Sequence, residues 1–322
     1  MAKIRKILYI CLFEYCMYMK KVLAKIFRGL IVLLSKLPLK FHYMMGDMLA
    51  WIAKNIFKYR LGMVWMNVSR AFPQKKHSQL KKIVNDYYTH LGEIVAETIW
   101  FGGSDYKRLN RQGIVTVKNP EVLNEIYLSS PSTTVLFTHC GNWEILGGLP
   151  GYMRIGGKEC PITENDITVV YKKMTNEVSD MVFAENRVAP LPGKFPECEV
   201  ESMNILRYSI RNKNRRRLYI YPADQAPNWD GSKHDMGVFL NQQTYAMTGS
   251  VGVACKLSHS VVYLKMKWLE RGKYEMEFIP ICMNASEFTP DELMKKYYQL
   301  LEAEINETPH NWLWSHNRWK WA

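Results

Sequence analysis

The sequence predicts an α/β protein, with a mostly parallel central sheet flanked by helices behind a basic helical arm at the N-terminus. Three observations carry that expectation. Beyond about residue 104, short β-branched or aromatic runs alternate with stretches of helical periodicity, the pattern of a parallel sheet covered on both faces. Before that point the apolar residues recur at helical spacing, most clearly over residues 80–101. The charge is also uneven: the chain carries +13, yet residues 1–45 hold nine Lys or Arg against a single acid, Glu14. With 322 residues, 48% of them hydrophobic, the chain can bury one large core, and wholesale disorder is excluded. No repeat, low-complexity tract or long linker interrupts residues 46–322, so the expected organisation is an arm over 1–45 and one domain over 46–322.

Taken in order, the arm comes first. Residues 22–37 read VLAKIFRGLIVLLSKL, and their longest uncharged run falls well short of the roughly 20 apolar residues that a bilayer span needs. Lys25 or Arg28 would each cost about 2.5–3.5 kcal/mol at the bilayer centre. Wound as a helix, Val22, Leu23, Ile26, Leu30, Leu33, Leu34 and Leu37 share one face, while Lys21, Lys25, Arg28 and Lys36 fall on the other. That division suits a helix lying in the membrane interface with its cations at the headgroups. The preceding ILYICLFEYCMYM is apolar apart from Glu14 and can reach deeper, so a single N-terminal anchor stays open beside the interfacial helix.

The domain follows. Ile83, Val84, Tyr87, Leu91, Ile94, Val95, Thr98 and Ile99 mark one face of a helix. Strands are expected over 133–138, 167–171, 218–222, 260–268 and 274–281, and helices over 142–153, 177–187, 199–211 and 248–257. The last helix opens on TPDE, with Thr289 as N-cap, Pro290 in the first turn and Glu292 closing a capping box. Seven cysteines, at 11, 16, 140, 160, 198, 255 and 282, include no C-x-x-C pair. Neither a disulfide framework nor a zinc site follows, and a reducing compartment fits best.

The stretch FTHCGNWEILGG, residues 137–148, carries the chemistry. His139 lies where a strand ends and a helix begins, the edge at which open α/β sheets bind ligands. Asn142 or Gly141 can cap that helix and bring free backbone N–H groups close to the ring. Glu144, five positions after His139, can hold the proton on one ring nitrogen and leave the other as a base. This is triad logic without a protein nucleophile, so a substrate hydroxyl becomes the attacking group, and the N–H groups or a basic side chain would meet the oxyanion. Cys140 is the rival nucleophile, but neighbours on a strand face opposite ways, which turns its thiol into packing. Asp224 and Gln225 end the strand LYIYP on the same rim, as an anchor for an acceptor, a support for the dyad, or a pair holding the turn. Arg187, Lys172 and Lys173 can meet phosphate or an oxyanion, arginine's fork being the better match. RNKNRRR, residues 211–217, reads as a solvated turn or as a docking patch for an acidic partner.

Five blocks in order resemble the bacterial lipid A biosynthesis acyltransferases, the late lauroyl/myristoyl family. They are MNVSRAFP (Asn67, Arg70, Phe72, Pro73), HCGNWE, VVYKKMTN with ENR after it (Lys172 standing where arginine is usual), YPADQ, and the closing NWLWSHNRWK. The likeness runs from about residue 30 to the C-terminus. It implies a sheet of the glycerol-3-phosphate acyltransferase kind and direct transfer of a fatty acyl chain from acyl carrier protein to a hydroxyl of a membrane lipid. His139 would be the base and Glu144 its orienting carboxylate, with Arg187, Asp224, Gln225, Asn142 and Lys172 binding substrate. The resemblance implies no metal, no cofactor beyond the acyl-carrier donor, no nucleic-acid partner, and a place at the cytoplasmic face of the inner membrane. A lipid A precursor is the expected acceptor, with ornithine lipids and glycolipids as alternatives. Two readings from other classes remain: a Cys140–His139 thioesterase, and a membrane-tethered nucleic-acid binder whose affinity would fall steeply with salt.

Overall fold

The structure, a computed structural model, describes residues 2–154, 159–191, 199–227 and 233–320, with side chains from residue 14 onward. The side chains of Lys3, Arg5, Lys6 and Cys11, together with Cys198, lie outside the described residues. Five helices come first: α1 (Ala2–Ser35), α2 (Leu39–Asn55), α3 (Leu61–Ala71), α4 (His77–Phe101) and α5 (Tyr106–Gln112). Strands and helices then alternate through β1 (Val115–Val117), α6 (Pro120–Ser129), β2 (Thr133–Phe137), α7 (Leu149–Met153), β3 (Ile167–Tyr171), α8 (Glu177–Arg187), β4 (Glu199–Glu201), α9 (Ile205–Arg211) and β5 (Leu218–Pro222). A hairpin of β6 (His234–Phe239) and β7 (Gln242–Ala246) follows, and α10 (Gly249–Leu257), β8 (Ser260–Glu270), β9 (Lys273–Cys282) and α11 (Pro290–Glu307) complete the order.

Seven strands form one sheet in the order β1-β9-β8-β2-β5-β3-β4. β2 is parallel to both β8 and β5, and β3 is parallel to β5 and β4, while β9 runs antiparallel to β8. The mixed α/β fold with a mostly parallel, helix-flanked sheet is therefore as expected. β2 is buried along its whole length, which is why TTVLF is continuously apolar or β-branched rather than alternating. Two clusters fill the space on either side: Tyr219, Tyr221, Tyr263, Tyr297, Leu301 and Trp314 belong to one, and Val135, Phe137, Ile220, Leu264 and Phe278 to the other.

Local signals explain the element ends. Thr289 accepts from the backbone N–H of Glu292, whose carboxylate accepts from that of Thr289, with Pro290 in the first turn. Residues 142–153, expected as one helix, form a 3-10 turn over Trp143–Gly148 and then α7, because Gly147 and Gly148 favour no regular α-helical ladder. Residues 199–211, also expected as one helix, begin as edge strand β4, pass through a 3-10 turn over Ser202–Asn204 and turn α-helical only at Ile205.

α1 is a single helix, longer than residues 22–37, and it packs on α4 and α8. Its inward edge is Ala24, Arg28, Ile31 and Ser35, spaced at helical intervals. Arg28 donates to Asn186 Oδ1 at 3.0 Å and to the Gly102 carbonyl at 2.5 Å, so this cation is directed into the protein rather than toward headgroups. Lys20 pairs with Glu177 of α8 at 2.9 Å. The apolar residues Leu23, Ile26, Leu30, Leu33 and Leu37 remain exposed, and along α2 so do Phe41, Met44, Met48 and Trp51. Among the described residues no helix is long and apolar enough to cross a membrane.

Candidate active site

The sheet itself builds the site. In the β2–β5 pairing Phe137 lies opposite Pro222, and the ladder runs one step further, Ala223 N–H donating to the Phe137 carbonyl at 3.1 Å. Two residues beyond each strand, the same register brings His139 beside Asp224. The Asp224 carboxylate accepts three N–H groups: His139 Nδ1 at 2.7 Å, the His139 backbone N–H at 3.0 Å and Trp312 Nε1 at 2.8 Å. With Nδ1 donating to Asp224, the lone pair of His139 lies on Nε2, and Gln225 Nε2 sits 3.2 Å from that atom.

Asp224 is thus the orienting carboxylate, a correction to the expected pairing of His139 with Glu144. Glu144 instead accepts from Trp143 Nε1 at 3.0 Å, and its other oxygen is buried with no partner among the described residues. The physical reason is the turn: Trp143–Gly148 is a 3-10 helix, so Glu144 follows a different path from the α-helical one assumed for it. It still lines the same cavity as His139, and its charge reaches the ring.

Electrostatics follow from this geometry. Burial disfavours a charged imidazole, but the Asp224 charge, its hydrogen bond and then the Glu144 charge outweigh burial and raise the His139 pKa above its ordinary value. Burial would push Asp224 up, yet the His139 charge, the hydrogen bonds from His139 and that from Trp312 hold its carboxyl well below the usual range. A carboxylate–imidazole pair of this kind keeps one tautomer and leaves Nε2 as the base.

His139 opens on a cavity of about 290 Å³ lined by Phe137, Leu146, Ile167, Val169, Phe183, Val188, Leu191 and Ile220, with Glu144, Glu164, Lys172, Arg187, Glu199 and Gln225 among its polar minority. An apolar slot with a few convergent polar groups is the general form of a ligand site, and the run of aliphatic walls suits a hydrocarbon chain. Arg187 does not reach out alone: it pairs with Glu199 at 3.4 Å and stacks 5.7 Å from the Tyr171 ring centroid. Gly147 is required here, because a Cβ on it would meet the Arg187 carbonyl oxygen at 1.7 Å.

Asn142, expected to touch substrate, is fully buried. Its Oδ1 accepts the Glu144 N–H as a cap, and its Nδ2 donates to Glu97 Oε2 at 2.9 Å. Glu97, completely buried, also accepts from Tyr43 at 2.8 Å and Tyr274 at 2.9 Å. Four of the turn's backbone donors are likewise engaged: His139, Cys140, Gly141 and Glu144 donate to Asp224, Thr138, Asn311 and Asn142 respectively, so these four do not face an oxyanion. Gly141 sits at φ +61°, with Met266 filling the space a Cβ would need.

Cys140 faces away from His139, as the strand alternation predicts. It is buried in the core beside Glu304, and burial first, then the Glu304 charge, pushes its thiol well above the ordinary range. A thiol held neutral is no nucleophile.

Trp312 is the site residue that the spacing of motifs missed. It belongs to the closing block, whose other members lock the same wall: Asn67 donates to the carbonyls of Trp314 and His316, and the Ala226 N–H donates to His316 Nε2 at 3.2 Å. Arg318 donates to Tyr298 and Trp319 to Thr244. Trp312, Trp314, Arg318 and Trp319 of this tail are buried and serve as internal closure of the domain.

Compared with known families, residues 15–321 match the family model described as bacterial lipid A biosynthesis acyltransferase. A search of the curated proteins returns no match.

Proposed function

The chain belongs to the bacterial lipid A biosynthesis acyltransferase family, and from that premise we propose that it moves a fatty acyl chain from the thioester of acyl carrier protein to a hydroxyl of a lipid A precursor. The observation that carries the reading is His139: its Nδ1 is fixed on Asp224 and its Nε2 is turned to a largely aliphatic cavity.

In the proposed reaction the acceptor hydroxyl displaces Gln225 from His139 Nε2 and hands its proton to that nitrogen. The hydroxyl oxygen forms its bond to the thioester carbonyl carbon, and the Gln225 amide, with Arg187 or Lys172, faces the oxyanion. The C–S bond then breaks, and the proton on Nε2 passes to the departing thiolate. No bond to the protein forms at any step. General-base assistance accounts for roughly 10²–10⁴ in rate, and positioning two lipid-bearing substrates at one surface supplies the effective concentration. Asp224 stabilises the imidazolium between the two proton transfers, and Glu144 adds a second negative charge near the ring.

The exposed apolar faces of α1 and α2 support a membrane surface for this work, the cytoplasmic face of the inner membrane in this reading, where the acceptor resides and the carrier protein can reach it. Mass spectrometry of lipids from cells lacking the protein tests the proposal. A lipid A species lighter by one acyl group is the expected result; an unchanged lipid A profile with a changed ornithine lipid or glycolipid would move the acceptor to that class.

A further inference from the structure

On the far side of the 188–191 segment from the acyl cavity lies a second feature that the proposed reaction does not use. Where α1 turns into α2, residues 36–40 lie against α5, held by Arg108, which donates to the Ser35 carbonyl at 2.5 Å and stacks 4.6 Å from the Trp100 ring centroid. Two contiguous depressions of about 520 and 570 Å³ meet here, sharing Arg108 and Arg111 as walls. Their other cationic walls are Lys36, Lys40 and Lys107, and the one acid, Asp105, is engaged as the cap of α5, accepting the Arg108 N–H at 2.7 Å. Among the described residues Lys36, Lys40, Lys107 and Arg111 form no ion pair, whereas Lys20, Lys118, Lys265 and Lys267 elsewhere each have a carboxylate partner. Burial first, and the neighbouring Arg111 charge second, pull the Arg108 pKa down. A concave site with this excess of cations favours an anion.

We propose that this cleft seats the phosphate headgroup of an anionic membrane phospholipid, and so sets the depth and tilt at which the chain meets the bilayer. The proposal rests on the reading that the chain works at a membrane surface. What favours a lipid over an acidic protein is the flank: Leu37 is itself a wall of the cleft, and Leu33, Leu37 and Phe41 beside it are exposed. Cations at the edge of an apolar strip stand at phosphate level when the strip enters the acyl region. The cleft and the acyl cavity also share a wall, since Ala189 lines one while Val188 and Leu191 line the other. A headgroup held in the cleft therefore brings that wall to the lipid–water boundary.

The test is vesicle flotation of the full chain on phosphatidylcholine alone and on phosphatidylcholine with phosphatidylglycerol, for wild type, Lys40→Gln/Arg111→Gln and a distant control pair, Lys213→Gln/Arg215→Gln. Near an anionic surface each cation is worth about 1 kcal/mol, about fivefold in partitioning, so the cleft pair should lose about 30-fold on anionic vesicles and nothing on neutral ones. The control pair should lose far less, and inorganic phosphate should bind too weakly to compete. Equal losses for the two pairs would mean diffuse charge and overturn the site. So would wild type floating equally with both vesicles, a result that leaves membrane attachment standing, whereas floating with neither would remove both. Effective competition by inorganic phosphate would make this a free-phosphate site, and a cleft pair that weakens only carrier-protein binding would assign the cleft to that partner.

Discussion

Replacing Asp224 by asparagine isolates the carboxylate that orients His139. Asp224 accepts from three N–H groups, two of them, His139 N and Trp312 Nε1, on one oxygen and His139 Nδ1 on the other. Asparagine offers one accepting oxygen and one NH2. The orientation that keeps two of the three bonds puts its oxygen on the backbone and indole donors and its NH2 against Nδ1. The ring must then carry its proton on Nε2, the nitrogen meant to act as base. A tautomer fixed the wrong way costs on the order of 10⁴ in kcat in a Ser-His-Asp triad, equivalent to about 5.5 kcal/mol of transition-state stabilisation. We expect Asp224→Asn to lose about 10³–10⁴ in kcat with little change in KM for the lipid. The assay is initial-rate formation of acylated lipid from an acyl-carrier thioester, with ring-nitrogen NMR of the variant showing Nε2 protonated. An Asp224→Asn protein within tenfold of wild type, beside a Glu144→Gln protein that is nearly inactive, would refute the assignment and return orientation to Glu144.

Further outcomes follow from the same geometry. Because the His139 pKa is raised, activity should climb with pH through a value above the ordinary 6.5 or so for histidine; Glu144→Gln, by removing one raising charge, should move that limb toward lower pH in a kcat/KM profile. The stability linked to His139 is present below its unfolded pKa and lost as pH rises through its raised folded one, while that linked to Asp224 is present above about 3.9 and lost as pH falls toward its depressed folded value. Wild type and Asp224→Asn should therefore converge in thermal stability in strong acid. Glu97→Gln leaves an amide NH2 facing one of three buried donors, so unfolding should show a loss of about 1–3 kcal/mol, with reduced kcat through the Asn142 cap on Glu144. Cys140→Ala should keep activity within a fewfold of wild type and lose about 1 kcal/mol of stability for the packing removed, as measured by denaturant unfolding.

The legible parts of the fold were those with strong local patterns. TTVLF, ITVVY and LYIYP announce buried parallel strands through continuous β-branched and aromatic content, and they appear at 133–137, 167–171 and 218–222. α8 spans Glu177–Arg187, as its helical stretch indicates, and the structure adds Asn176 as its cap. What was not legible is short or polar. β1 has three residues, β4 has three, and the β6–β7 hairpin reads HDMGVF and QQTYA, with too little apolar alternation to separate a strand from a loop.

The site divides the same way. His139 could be placed from strand-end logic alone, and Cys140 could be set aside from alternation. Its true partner, Asp224, is 85 residues away, and it becomes the neighbour only through the β2–β5 register, which no spacing within one segment encodes. Glu144 is closer in sequence and would suit an α-helical first turn, but the 3-10 turn over Trp143–Gly148 removes that premise. Trp312 belongs to the closing block, where ten residues of mixed aromatic, apolar and polar character give no sign of which one meets the carboxylate.

The measurement closest to the central claim is a single-turnover comparison of wild type and His139→Ala, both verified as folded, with acylated lipid and any acylated protein followed together by mass spectrometry. If Nε2 of His139 takes the acceptor proton and the chain passes directly between substrates, the variant loses about 10²–10⁴ in rate, and neither protein carries an acyl group at any time point. A His139→Ala protein that transfers at the wild-type rate, or a wild-type protein that accumulates an acyl adduct before lipid product appears, would contradict it.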